Sequence, residues 1–289
     1  MNKWKKWPIN IIKYNDFPGQ LKEIKNCPEK LFYRGNWDNN IFSKSLAVVG
    51  SRRMSRYGKE VIAKFMPELV ASKICIISGF MYGVDTESHL KCLEFGGKTV
   101  AVLGGGLDIL TPLENDNLYS QILEAGGLVI SEYEANFQPT LWSFPQRNRI
   151  VSGLSTLGVL VVEAGMKSGS LVTARIGREQ NKHIFAVPGQ LTNRIAEGTN
   201  YLIKNNLGKI VTEVQDIIGG SSHQIQETLF ESTDPLENII IQLLKIEPLS
   251  IDELCLKMHN SVRVINTKIT MMALNNLVFE ENGKIYLKK

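Results

Sequence analysis

Cysteine is scarce in this 289-residue sequence, and none of its four cysteines belongs to a Cys-x-x-Cys pair. The four histidines are equally scattered and match no spacing that is typical of metal ligands. Cys75 lies within the apolar run ICIIS, where a thiol packs as a small hydrophobe. The sequence therefore predicts no metal site, no bound cofactor and no disulfide framework.

Long apolar runs are missing as well. No uninterrupted run approaches the roughly 18 residues that a membrane span requires. The basic N-terminal stretch MNKWKKWPINIIKYND lacks the apolar segment of a signal peptide. Because 43% of the residues are hydrophobic, the chain can still bury a full core. We therefore expect a globular cytoplasmic protein without a membrane partner.

Three common catalytic signatures are absent. The first strand is not followed by G-x-G-x-x-G, no G-x-x-x-x-G-K-[ST] occurs, and GLSTL is the nearest approach to G-x-S-x-G. Four carboxylates follow strands without a matched acid or base, and we expect them to cap helices or to hold basic neighbours: Asp85, Asp108, Glu132 and Glu163. The sequence therefore predicts a binding protein with no catalytic residue.

Short β-branched runs alternate with helical patterns from residue 46 onward. The runs are LAVVG, ICIIS, TVAVL, LVIS, LGVLVVE, IFAVP and KIV, and the segments 57–71, 84–95, 112–125 and 170–181 carry apolar residues at helical spacing. Near-continuous apolar strands joined by helices are typical of a parallel sheet that is covered on both faces. We predict an α/β fold with a doubly wound, mostly parallel, extended Rossmann-like sheet.

The pattern divides the chain into four parts. Residues 1–45 are predicted to be an N-terminal extension packing on the main domain, and residues 46–218 the Rossmann-like domain that carries the binding site. Residues 219–234 are polar and predict a linker. Residues 235–289 show three helical patterns and an Asn-Gly hairpin signal, which is typical of a small winged-helix-like domain. Its charge is nearly balanced, so partner binding, dimer support and DNA binding all stay open for it.

Glycine-rich loops follow four of the predicted strands. They read GSRRMSRYG, GFMYGVD, GGGLD and AGMKSGS. Glycine lets a ligand approach the backbone closely, and ligands of open α/β sheets collect at the carboxyl ends of the strands. The cation excess is concentrated near two of these loops, with five basic residues against one acidic residue over 52–64 and six against two over 145–182. We therefore expect an anion-attracting rim at this edge.

The rim offers glycines, hydroxyls and cations, which suit holding phosphates better than breaking bonds. The predicted binding residues are Gly50, Ser51, Arg52 and Arg53 after the first strand, Arg147, Asn148 and Arg149 on a short helix before the fifth strand, and Lys167, Ser168, Gly169 and Ser170 after that strand. Aromatic side chains near these loops offer faces on which unpaired bases can stack: Tyr57, Tyr82, Trp142 and Phe144.

Six ordered motifs resemble the DprA/Smf family of bacterial DNA-processing proteins. They are AVVGSRRMSRYG, ISGFMYGVDTESH, VAVLGGGLD, NFQPTLWSFPQRNRIVSGLS, VVEAGMKSGSLVTARIGREQ and FAVPGQLTNRIAEGTNYLI. The resemblance runs from about residue 17 to about residue 211, and the family's winged-helix-like tail resembles residues 235–289 much more weakly. It implies a homodimeric protein that binds single-stranded DNA and loads a RecA-type recombinase in homologous recombination and natural transformation.

The resemblance carries three motifs onto this chain. The family's Gly-Ser-Arg loop corresponds to residues 50–52, its Arg-Asn-Arg element to residues 147–149, and its Lys-Ser-Gly-Ser loop to residues 167–170. The usual Ala-Arg pair is Met81-Tyr82 here, which removes a cation from the rim, and a common cysteine is Thr199. The family's small N-terminal helical domain has no counterpart in these residues, so a truncated or reduced form is one expectation.

The alternative hypothesis is a phosphoribohydrolase-like enzyme that binds a nucleoside monophosphate at the same rim. Those enzymes resemble P-G-G-x-G-T-x-x-E, with a glutamate on the helix after the glycine loop. The equivalent loop here, AGMKSGSLVTA, has Lys167 in the loop and no glutamate after it. The sequence therefore favours binding of single-stranded DNA.

Overall fold

A computed structural model describes residues 3–219, 234–275, 277–281 and 283–287. The chain divides into two compact units, Met1–Gly220 and Ser221–Lys289. Most of the predicted linker, residues 220–233, lies outside the described residues. Across the described residues, no helix is both long and apolar enough to cross a membrane.

The first unit contains one nine-stranded sheet in the order β1-β2-β6-β5-β4-β3-β7-β8-β9. Its strands are β1 Asn10–Lys13, β2 Lys30–Gly35, β3 Ser45–Val49, β4 Cys75–Ser78, β5 Thr99–Leu103, β6 Leu128–Ser131, β7 Gly158–Val161, β8 Ile184–Ala186 and β9 Lys209–Ile210. All neighbours from β6 to β9 pair in parallel, whereas β2 runs antiparallel to both β6 and β1. The predicted mostly parallel α/β sheet is confirmed.

Helices connect these strands and lie on both faces of the sheet. They are α1 Gly19–Lys22, α2 Arg56–Ala71, α3 Val84–Glu94, α4 Asp116–Glu124, α5 Ser143–Leu154, α6 Gly169–Glu179, α7 Glu197–Lys204 and α8 Gln215–Ile218. Three of the four predicted helices have the expected extent. The predicted segment 112–125 differs, because a 3-10 turn at Leu113–Asn115 precedes α4.

Successive residues of β3 show how the sheet is covered. Leu46 and Val48 pack against Phe65 and other apolar side chains of α2 on one face. Ala47 and Val49 point to the other face, where Ile150 and its neighbours on α5 complete a second core. Because side chains alternate along a strand, a run that is apolar throughout has to be covered on both sides. This explains why LAVV is a central strand.

The order of the strands creates a switch point between β3 and β7. From β3 the chain winds outward through β4, β5 and β6, and it then returns to place β7 on the other side of β3. Val49 and Val161 are register partners at the carboxyl ends of these two strands. The loops that follow β3 and β7 therefore leave the sheet side by side, where open α/β sheets bind their ligands.

The second unit is small. It contains α9 Pro235–Ile246, α10 Ile251–Met258, α11 Val262–Leu274, β10 Val278–Glu281 and β11 Lys284–Leu287. The two strands pair antiparallel, as the Asn-Gly signal predicts, and buried Ile240, Leu254 and Met272 belong to its core. The predicted three helices and hairpin of a winged-helix-like domain are confirmed. In α11, Lys268 forms ion pairs with Asp234 and Glu237, so its charge is already neutralised.

The buried side chain of His89 should make unfolding of the first unit depend on pH. The Thr99 hydroxyl donates to the Ile76 carbonyl (2.7 Å), so His89 Nδ1–H donates to Thr99 Oγ1 (2.6 Å). Burial and the nearby charge of Arg147 lower the His89 pKa to about 3. An unfolded histidine titrates near pH ~6.5. Between these values only the unfolded chain takes up the proton, so stability is lost as the pH falls.

We expect this loss to reach about 1.4 kcal/mol per pH unit at most. Urea unfolding of the wild type and of His89→Gln, measured from pH ~6.5 down to ~4, isolates the contribution because all other titrating groups are shared. The unfolding free energy of the variant should fall less steeply with decreasing pH. Parallel curves for the two proteins would contradict this assignment.

Candidate nucleic-acid interface

A groove of about 750 Å³ opens at the carboxyl ends of β3 and β7. Ten of the eleven predicted binding residues line it, and they come from three separate parts of the chain: Gly50, Ser51, Arg52, Arg53, Arg147, Asn148, Lys167, Ser168, Gly169 and Ser170. Arg149 is the predicted residue that does not line it. The fold therefore brings together segments that are far apart in the sequence.

The backbone after β3 is fixed by contacts to both neighbouring segments. The Ser51 N–H donates to the Glu163 carbonyl at 2.7 Å, and the Ser51 carbonyl accepts from the Val84 N–H at 3.2 Å. A Cβ on Gly50 would lie 2.5 Å from Val84 Cγ2 and 3.0 Å from the Glu163 carbonyl oxygen. Glycine is therefore required at this position by close packing, and the loop is held in one place.

Glu163 supports this loop from beneath. Its side chain is buried and accepts hydrogen bonds from the backbone N–H of Ser55 at 2.9 Å and from the Ser55 hydroxyl. Ser55 is the N-cap of α2 and accepts in turn from the Gly58 N–H. A carboxylate is favourable at a helix N-terminus because the unpaired N–H groups carry partial positive charge. Glu163 thus anchors α2 and the arginine loop in front of it.

Three cations of the groove remain exposed and unneutralised. Arg52, Arg53 and Lys167 form no ion pair with any residue that the structure describes. The Arg52 guanidinium lies 5.3 Å from the centroid of the Phe144 ring, which holds it by a cation–π contact. Positive charge without a protein partner at a groove attracts anions.

The loop after β7 directs the N-terminus of α6 toward the same groove. Ser168 caps this helix, because its hydroxyl oxygen accepts from the Ser170 N–H at 3.3 Å. The Ser168 and Ser170 hydroxyls are also hydrogen-bonded to each other at 2.7 Å. Lys167 precedes the cap and is exposed. N–H groups at a helix start, hydroxyls and a lysine are the kinds of donor that can bind a phosphate.

Arg147 lines the groove, but its guanidinium is turned inward. It is only 4% exposed and donates to the carbonyls of Gly79 and Val102, at the ends of β4 and β5. Burial raises the pKa of the neighbouring Asp85 carboxyl, and the charge of Arg147 opposes this increase. Arg147 therefore fixes the ends of two strands, and the prediction that it offers a free cation needs this correction.

Arg149 requires a stronger correction. Its side chain is 9% exposed and forms an ion pair with Glu132, at the end of β6. Successive positions on a helix face different directions, so Arg147 and Arg149, which are two residues apart on α5, cannot both face the groove. The prediction of Arg149 as a binding residue does not fit this geometry. Between them, Asn148 lines the groove and its Oδ1 accepts from Arg147 Nε at 3.2 Å.

The four carboxylates that follow strands all have partners. Glu163 accepts from the Ser55 N–H at the start of α2, Glu132 pairs with Arg149, Asp108 pairs with Arg34 at 2.8 Å, and Asp85 accepts from the Met81 N–H at 3.2 Å. Within the described ranges, no three His, Cys, Asp or Glu side chains come together as a metal site requires. The carboxylates therefore serve the positions of loops and helices, as the sequence predicts.

Sequence reasoning overlooked part of the groove wall. Gly79 and Met81 lie in the loop after β4, Thr173 lies on α6, and Ile195 follows β8. The glycine-rich loop after β4 was a signal for the first two, but apolar Ile195 carries none. Tyr82, which replaces a cation of the family pattern, does not line the groove, because its hydroxyl donates to Glu114 at 2.7 Å.

The fold and the groove define a doubly wound α/β protein with a cation-lined groove at its topological switch point. A family model described as DNA recombination-mediator protein A matches residues 9–221. DNA processing protein DprA of Streptococcus pneumoniae is 40% identical over 215 residues, which are 74% of this chain and 74% of that protein. The chain belongs to the DprA/Smf family of recombination-mediator proteins.

Further relatives agree with this assignment. Protein Smf of Escherichia coli is 42% identical over 202 residues, which are 70% of this chain but only 53% of that protein. The crystal structure of the streptococcal DprA covers 75% of both chains with a TM-score of 0.67 and 38% identity. Another solved structure describes the single-stranded DNA binding mode of DNA processing protein A from Helicobacter pylori. Its comparison with this chain gives a TM-score of 0.66 at 29% identity and covers 74% of this chain and 95% of that chain.

Two glycines of the groove should respond in opposite ways to alanine. The Gly50→Ala methyl group would press on Val84 and the Glu163 carbonyl, so we expect a loss of about 1–3 kcal/mol in the free energy of unfolding. Gly169, the first residue of α6, has no atom within 4 Å of an added Cβ. Gly169→Ala should be neutral or stabilising by up to about 1 kcal/mol. Urea unfolding of both variants checks this, and equal losses would refute it.

Proposed function

We propose that this protein binds single-stranded DNA in the groove between the loops after β3 and β7. The observation that carries the proposal is the convergence of three exposed cations, Arg52, Arg53 and Lys167, beside the capped N-terminus of α6. Phosphate contacts provide most of the affinity of sequence-independent nucleic-acid binding. A ring such as Phe144 beside the arginine adds an apolar face for an unpaired base.

The groove binds the strand without cleaving it. The four carboxylates that follow strands are each engaged by an ion pair or a backbone N–H, and Glu163 holds the start of α2. A second observation argues against a phosphoribohydrolase-like reaction. The helix after the Lys167 loop, α6, carries no acidic residue in its first turn. We therefore assign the protein a binding role.

The family description as a recombination mediator supports a wider role for the bound strand. We place the protein in the cytoplasm as a homodimer that presents single-stranded DNA to a RecA-type recombinase during homologous recombination and natural transformation. The similarity to the Helicobacter pylori protein supports the choice of single-stranded DNA over duplex DNA. The domain boundaries at residues 45, 218 and 235 belong to the same proposal.

Equilibrium binding of a fluorescent oligothymidylate at several salt concentrations tests the proposal. Arg52→Ala removes a charge-assisted contact to phosphate, so we expect affinity to fall about tenfold. The slope of log K against log salt should also become shallower by about 0.7.

After incubation with the wild type, the strand should be recovered at its original length. With added recombinase, the wild type should speed filament formation on the strand, and Arg52→Ala should do so less.

Arg175→Ala is the matched control, because Arg175 is an exposed arginine on α6 that pairs with Glu179 at 3.9 Å and does not line the groove. It removes the same charge and should leave the affinity and the salt slope near the wild-type values. The proposal is wrong if Arg52→Ala and Arg175→Ala bind alike, or if duplex DNA of the same length binds more tightly than the single strand. Cleavage of the strand would overturn the binding role.

A further inference from the structure

Two exposed side chains adjoin residues that line the groove, and neither the phosphate arrangement nor the core of the unit explains them. We take these two places as the ends of the groove. One is the segment between β6 and α5, where exposed Trp142 follows the groove residue Leu141, and the other is the segment after β8, where exposed Arg194 precedes the groove residue Ile195.

At the first end, Trp142 rests on a rigid aromatic support. Tyr133 and Phe137 are stacked at 4.3 Å with 17° between their planes, and Trp142 meets both rings edge-on at 5.9 Å. The segment is attached to the loop after β5, because the Gly106 N–H donates to the Phe137 carbonyl at 2.9 Å. Trp142 nevertheless remains 58% exposed, and its neighbour Leu141 lines the groove. A preorganised indole at a groove is a stacking face for an unpaired base.

At the second end, Arg194 lies on a segment that is braced on two sides. The side chain of Asn200 accepts from the Gly189 N–H at 3.1 Å and donates to the Gly189 carbonyl at 3.0 Å, and the Tyr57 hydroxyl donates to the Pro188 carbonyl at 2.7 Å. The segment borders the lysine loop, since the Arg194 carbonyl oxygen lies 3.3 Å from the position of a Cβ on Gly165.

The Arg194 guanidinium is unused within the part of the chain that the structure describes. It forms no ion pair and no hydrogen bond there, and the following residue, Ile195, lines the groove. An exposed arginine whose backbone is held beside a groove can form a bidentate contact with a phosphate.

The order of the strands gives the length of this path. The strand ends from β5 to β8 follow the order β5-β4-β3-β7-β8, which makes four intervals. At about 4.8 Å per interval the two ends lie about 19 Å apart. A stacked strand rises about 3.4 Å per nucleotide along its axis, so about six nucleotides at most span this distance. The path is therefore too long for a mononucleotide.

We propose that Trp142 and Arg194 mark the two exits of one DNA path across five strand ends. A base stacks on Trp142 at one exit, and a phosphate pairs with Arg194 at the other. This inference rests on the proposed binding of single-stranded DNA and adds to it the course that the strand takes across the sheet edge. It assigns two contacts that lie outside the loops after β3 and β7.

Two oligothymidylates, about 4 and about 16 nucleotides long, test the path together with tryptophan fluorescence. The longer strand should quench part of the wild-type fluorescence, and Trp142→Phe should lose that quenching. Trp37→Phe, which alters a half-buried tryptophan packed on Tyr33 and Phe42, should keep it. Arg194→Ala should weaken binding of the longer strand about tenfold and leave binding of the shorter strand unchanged. Arg52→Ala should weaken binding of both.

The outcomes separate the inference from the function on which it rests. If Arg52→Ala binds both strands as the wild type does, the proposed function itself fails. If Arg52→Ala weakens binding but the quenching persists in Trp142→Phe, or Arg194→Ala binds the longer strand normally, the path is wrong and the function stands. Trp142→Phe and Arg194→Ala should unfold at the same urea concentration as the wild type, which shows that neither substitution disrupts the fold.

Discussion

Parallel pairing of β3 with β7 places two distant loops next to each other, and the groove depends on this contact. Val49 and Val161 are register partners, and two residues beyond them the Ser51 N–H donates to the Glu163 carbonyl at 2.7 Å. The first loop brings two arginines, and the second brings a lysine and a helix N-terminus. Since neither loop alone offers more than a few donors, the pairing of the strands brings the donors of both loops into one groove.

Buried charges keep these loops in position. Glu163 holds the start of α2, Arg147 ties together the ends of β4 and β5, and Glu132 and Arg149 fix α5 to the end of β6. Buried ion pairs add little net stability, so we interpret these charges as positional. The charges of this edge thus fall into two groups, one buried and positional, the other exposed and available to a ligand.

The sequence predicts the sheet and most of the residues that line the groove, because both depend on patterns of neighbouring residues. Apolar runs identify the strands, and glycine-rich loops identify their carboxyl ends. The roles of Arg147 and Arg149 were not predictable, because the groups that they contact, Gly79, Val102 and Glu132, are distant in the chain. Arg194 was not predicted either, because it is the single cation of its loop, whereas the predicted cations stand in basic clusters. Periodicity identifies elements, but only the assembled sheet shows which cations remain free.

The central claim is that single-stranded DNA lies across the carboxyl ends of β3 and β7. Photo-cross-linking of a halogenated oligothymidylate to the full chain, followed by peptide mass spectrometry, tests it most directly. The account predicts cross-links to peptides that contain residues 50–53, 141–144 and 165–170. Cross-links confined to α11 and the hairpin of the second unit, with none to these three segments, would contradict it.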